Sequence, residues 1–103
     1  MISVRRDSPL RGGYKVSIAV DNRGTRLINL GDIFNAVRGL PRTDTIAASP
    51  RTQINGQQYV TARTARSWLS HLDDQPTRQQ CQDLGTLITW AETTPIGDDY
   101  AAA

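Results

Sequence analysis

The chain reads as a small single-domain α+β protein: two β-hairpins packed with three to four helices. Three observations predict this. The run YKVSIAV alternates apolar and polar residues with the period of a half-buried strand. Asn55-Gly56 stands between short strand-like runs, and a type I′ turn needs two residues that tolerate positive φ. Leu30, Ile33, Phe34 and Val37 fall at i, i+3, i+4 and i+7, the stripe of an amphipathic helix. At 103 residues there is room for one core and not two. With six aromatic residues, that core must be mainly aliphatic.

Residues 1–13 carry Arg5, Arg6 and Arg11 beside Pro9 and Gly12-Gly13, which suggests a flexible basic arm ahead of the domain. The domain proper is expected to span 14–92. In its first strand Tyr14, Val16, Ile18 and Val20 point one way, and Lys15, Ser17 and Ala19 the other. Asp21-Asn22-Arg23-Gly24 is turn chemistry, and Thr25–Ile28 returns as the second strand. A helix follows over 29–38. Asn29 can cap it, Asp32 sits where a carboxylate favours the positive end of the helix dipole, and Gly39 and Pro41 end it. Residues 42–50 fit a two-turn helix capped by Thr43 or an irregular loop equally well.

The stretch 51–72 is a hairpin running into a helix. A two-residue turn pairs Ile54 with Gln57, Gln53 with Gln58, Thr52 with Tyr59 and Arg51 with Val60. One face of the ribbon then carries Thr52, Ile54, Gln57 and Tyr59, and the other Arg51, Gln53, Gln58 and Val60. Thr61 is placed to cap the helix, which turns Ala62, Ala65, Trp68, Leu69 and Leu72 to the core and Arg63 and Arg66 outward. Thr77-x-x-Gln80 resembles a capping box for a last helix over 77–91, lined by Cys81, Leu84, Leu87, Ile88 and Ala91. Residues 93–103 read as a frayed acidic and alanine tail.

The net charge of +2 hides an asymmetry. Residues 1–66 hold eleven cations against four acids, and residues 67–103 hold one cation against six acids. Such a split suggests a front that faces a polyanion and an acidic back. Eleven of the twelve cations are arginine, whose planar fork of donors suits phosphates and guanine edges. The lone His71 and lone Cys81 do not make a metal site, and no cofactor is expected. Asp73-Asp74 precede Pro76 in a polar connection and read as a solvated loop. No glycine-rich loop opens a helix in the manner of nucleotide sites, and no serine or threonine has a base near it in sequence. Trp68 and Trp90 sit at helical spacing among apolar residues and read as core. An enzyme is therefore not expected. There is no apolar run long enough to span a bilayer and no apolar stretch after Arg5-Arg6 that would make a secretory signal. One cysteine fits a reducing cytoplasm.

Two runs carry a family resemblance. SIAVDNRGTRLINLGDIFNAV resembles the opening of the KilA-N domain of phage and viral regulators, with Ile28-Asn29-Leu30-Gly31-Asp32-Ile33 at the entry to its first helix. GQQYVTARTARSWLSHL is similar to its later signature, through Gly56, Tyr59-Val60, Ala65 and Trp68-Leu69. The Bro-N domains of phage antirepressors look similar in layout. The resemblance covers about residues 14–72; residues 40–52 are shorter than the family's connection between its two signatures. It implies a DNA-binding domain of a transcriptional regulator or antirepressor in a bacterial host cell. The layout of helix, short helix, hairpin and helix is also similar to winged-helix excisionases.

The expected partner is duplex DNA. Arg23, Arg26, Arg51, Arg63 and Arg66 are expected on phosphates, and Gln53, Gln58 and Arg42 on base edges. A homodimer through residues 77–91 would match a palindromic site. The alternative is a small phage antirepressor or inhibitor that binds a repressor or another regulatory protein instead of DNA.

Overall fold

A three-stranded meander and a two-stranded hairpin join edge to edge into a single antiparallel sheet. In the computed structural model, which describes residues 2–70 and 78–96, the strands are β1 (Ile2–Asp7), β2 (Lys15–Val20), β3 (Arg26–Asn29), β4 (Thr52–Ile54) and β5 (Gln57–Thr61). Their order is β1-β2-β3-β5-β4, with every neighbouring pair antiparallel. Between β3 and β4 lie α1 (Leu30–Ala36) and α2 (Asp44–Ala47); α3 (Ala62–Trp68) and α4 (Arg78–Thr93) follow β5. This is a small α+β domain, a five-stranded antiparallel sheet with four helices among the described residues; the expected β2–β3 hairpin is joined by β1 into a three-stranded meander.

All four helices pack on one face of the sheet. Val16, Ile18, Ile28 and Val60 supply the strand side of the core. Ile33 of α1, Val37 just after it, Ile46 of α2, Ala65 and Trp68 of α3, and Leu84, Leu87, Ile88 and Ala91 of α4 supply the rest. Trp68 is fully buried, as its spacing predicts, and its indole N–H donates to Ser49 Oγ at 2.7 Å. That bond satisfies the polar edge of the ring and ties the α2–β4 connection to α3. Ala19, expected outward, is instead buried on the opposite face, where Leu27 and Tyr59 from the next two strands close over it.

The helix caps follow the sequence. Asn29, Thr43 and Thr61 each adopt extended backbone and accept from the N–H three residues on. Residues 42–50 thus resolve in favour of a short helix. The register of β4 with β5 is the expected one, with Ile54 opposite Gln57, Gln53 opposite Gln58 and Thr52 opposite Tyr59. Asn55 and Gly56 both take positive φ, 52° and 80°, as a type I′ turn requires.

Two expectations are overturned. Residues 1–13 are not a flexible arm: β1 pairs with β2 along six residue pairs, from Ile2 opposite Val20 to Asp7 opposite Lys15. Ile2 and Val4 pack against the core, and Gly12 and Gly13, at φ 107° and 66°, close the turn. Residues 93–96 are not frayed either. Thr94 and Ile96 are buried, and Arg26 reaches across to bond the Ala91 and Thr94 carbonyls at the end of α4. The expected cap Thr77 and residues 71–74 lie outside the described residues.

Candidate functional site

Where β3 turns into α1, the pairing of β2 with β3 ends at Ile18 and Ile28. The Ser17 N–H, one residue beyond, donates to Asp32 Oδ2 at 2.9 Å. Arg5 of β1 donates to the same oxygen at 3.3 Å and to Ser17 Oγ at 3.0 Å. The start of α1, α2 and the β4–β5 ribbon then bound a cleft of about 560 Å³. Arg5, Arg42 and Arg51 line it, together with Asn35, Gln57 and Gln58, over Phe34 and Ile46. Its one lining carboxylate is Asp32, so guanidinium groups exceed carboxylates by two.

The arginines and glutamines of the cleft are positioned by neighbours. The Arg42 guanidinium lies over the Phe34 ring, 4.2 Å from its centroid, in a cation–π contact that keeps it at the cleft wall. Arg51, just before β4, donates from Nη1 to Gln58 Oε1 at 2.8 Å and from Nη2 to the Ala47 carbonyl at 3.4 Å. Asn29 accepts the Asp32 N–H through Oδ1, so its amide nitrogen is turned the other way and donates to Gln57 Oε1 at 2.6 Å. The capping residue of α1 therefore also orients a side chain of the hairpin.

The expected contact residues fall into three groups. Arg42, Arg51 and Gln58 meet at the cleft. Gln53, Arg23 and Arg63 are exposed, on the ribbon, at the β2–β3 turn and on α3, and do not line it. Arg26 and Arg66 do not fit the phosphate-binding role assigned from sequence. Arg26 is half-buried with its guanidinium on the α4 carbonyls, and Arg66 pairs with Glu92 and donates to Thr89. Both are drawn in because α4 packs beside α3 and across the end of β3, a proximity that sequence spacing does not reveal.

Sequence reasoning missed Arg5, Asn35, Gln57 and Phe34 at this site. The signal for Arg5 was present: Ile2-x-Val4-x-Arg6 has strand alternation that places Arg5 on a strand next to Ser17. Phe34 was read as core because it completes a helical stripe, yet it is only half-buried and carries Arg42. Of the last helix, the apolar residues Leu84, Leu87, Ile88 and Ala91 are consumed by the chain's own core. No helix of the described residues is long and apolar enough to cross a membrane. The chain matches no protein-family model, no curated protein and no solved structure.

Proposed function

We propose that this chain binds duplex DNA as a small phage-type transcriptional regulator of the KilA-N kind, and that it has no catalytic role. One observation carries the reading: Arg5, Arg42 and Arg51 converge with the side-chain amides of Asn29, Asn35, Gln57 and Gln58 on an open cleft beside an exposed hairpin. Phosphate oxygens are acceptors, and such a wall offers them charge and donors together. Arg42 is the principal phosphate-facing cation of the cleft, and Arg23 and Arg63 add exposed charge. Gln53 and Gln58 stand on the ribbon, where a two-stranded element can enter a major groove. A single module of this size gains little affinity, so two copies on a palindromic site are part of the proposal, as is action in the cytoplasm of a bacterial host.

The test is the salt dependence of binding to a random-sequence duplex. Each neutralised phosphate contributes about −0.9 to the slope of log K against log salt. Losing two such contacts makes the slope shallower by about 1.8, which corresponds to about a twelvefold smaller drop in affinity between 50 and 200 mM salt. Arg42→Ala with Arg63→Ala is expected to produce that change in a domain that remains folded, since both side chains are exposed. Absence of salt-dependent duplex binding overturns the proposal in favour of a protein-binding regulator, and an unchanged slope in the double variant overturns the assignment of these arginines to phosphates.

A further inference from the structure

The hydrogen-bond polarity of the cleft goes further than its charge. Glutamine can read adenine because its amide both accepts and donates, matching the N6 donor and N7 acceptor of that base. In this structure the carbonyl of Gln58 is already engaged by Arg51. A guanidinium has no acceptor, so the atom of Gln58 that faces Arg51 Nη1 at 2.8 Å must be the carbonyl oxygen. Its NH₂ is left as the group directed away from Arg51. The same logic settles Gln57. A backbone N–H can only donate, so the atom of Asn29 bonded to the Asp32 N–H is Oδ1. Asn29 then meets Gln57 through its amide nitrogen, and Gln57 must offer its oxygen, at 2.6 Å. Two chains of donors, each anchored on a group with a single hydrogen-bonding sense, thus turn both glutamine carbonyls inward.

Through its unspent N–H groups, the Arg51–Gln58 pair presents donors: the NH₂ of Gln58 and the remaining N–H groups of Arg51. A guanidinium carries five N–H donors, of which Arg51 spends two within the chain, on Gln58 and Ala47. A donor-only pair needs a base edge with two adjacent acceptors. In the major groove guanine offers N7 and O6, while adenine sets a donor beside N7 and cytosine presents a donor. Thymine has one acceptor next to a methyl group. We infer that Arg51 and Gln58 act as one unit that reads a guanine edge, and that Gln58 does not read adenine as its residue type suggests. This rests on the duplex-binding reading above and adds the base class that the cleft selects.

The experiment uses the full chain and a pool of randomised duplexes. Selection is expected to enrich sites with a guanine at a fixed position. Replacing that guanine by 7-deazaguanine, which lacks the N7 acceptor, should weaken binding tenfold or more. Arg51→Lys keeps the charge and loses the fork, so it should flatten the preference at that position while the salt slope stays unchanged. Gln58→Ala should do the same without touching any charge. Steep salt dependence with no enriched guanine, or an adenine at the position lost in Gln58→Ala, overturns the guanine assignment and leaves DNA binding standing. No salt-dependent binding to any duplex overturns both.

Discussion

Asp32→Ala should cost the domain about 2–3 kcal/mol, although Asp32 belongs to a site and not to the aliphatic core. Its carboxylate accepts the Ser17 N–H at 2.9 Å where the β2–β3 pairing has run out, and the residue is only 8% exposed. Removing the acceptor leaves that N–H without a partner, at ~1–3 kcal/mol. Losing a carboxylate from the first turn of α1 adds ~0.3–1 kcal/mol. The pair with Arg5 adds little, about 0–0.5 kcal/mol, because the Arg5 side chain is 55% exposed and screened by water. Urea unfolding followed by circular dichroism reads the sum as a midpoint lowered by roughly 1–2 M at ordinary m-values. Asp32→Asn retains an acceptor for Ser17 and should lose only about 1 kcal/mol, the charge-dependent part. If Asp32→Ala and Asp32→Asn are equally mild, below about 0.5 kcal/mol, the Ser17 bond contributes nothing and the reasoning fails. Under the DNA proposal, Asp32→Asn also leaves Arg5 unopposed beside the cleft, so duplex affinity at low salt should rise while stability falls.

The remaining predictions concern the turns. Gly39→Ala is expected to destabilise by about 2–3 kcal/mol, from left-handed strain and the loss of one hydrogen bond. Gly39 has φ 75°, and an added Cβ would come within 2.6 Å of the Gln80 amide nitrogen, which donates to the Arg38 carbonyl. Gly31→Ala is the control: its φ is ordinary and the nearest atom lies at 3.4 Å, so thermal unfolding should show no loss or a gain of up to ~1 kcal/mol. Asp21 links pH to stability. The Thr25 N–H is the largest cause; together with the N–H and charge of Arg23 it outweighs desolvation and holds the carboxyl below the ordinary value of 3.8. A depressed folded value means that this stabilisation is complete above the unfolded value and is lost as pH falls through the folded one. Thermal midpoints of the parent chain and Asp21→Asn should therefore diverge above pH 3.8 and converge below the folded value; parallel profiles would contradict this.

Much of the fold was written locally. Asn55-Gly56 dictated turn type and register together, because only residues tolerant of positive φ fit both central positions. Asn29 and Thr61 announced their helices because each stands at the junction where a strand's alternation gives way to a helical stripe. What escaped was non-local. Arg5, Arg6 and Gly12-Gly13 suggested an arm because charge and glycine were weighed above the alternation of Ile2 and Val4, and pairing with β2 decided the matter. Ala19 was assigned outward by alternation alone, but a small residue becomes buried once Leu27 and Tyr59 flank it.

The candidate site was legible in part for the same reason. Arg42, Arg51 and Gln58 could be named from residue type and proximity to the hairpin. Arg5 reaches them across β2 and β3, and Arg26 and Arg66 are captured by a helix far along the chain. Hydrogen-bond polarity is not written in residue type or spacing. Gln58 looked like an adenine reader until Arg51 was found on its carbonyl.

The most direct measurement is a chemical-shift titration of the isotope-labelled chain with a random-sequence duplex at low salt. The account predicts perturbed backbone amides around residues 29–35, 42–47 and 51–58, with Arg42 and Arg51 among the largest changes. The outer face of α4, at Gln82, Thr86 and Thr93, should be unaffected apart from any dimer contact shared by the free chain. Shifts concentrated on α4, or no shifts at all, would contradict it.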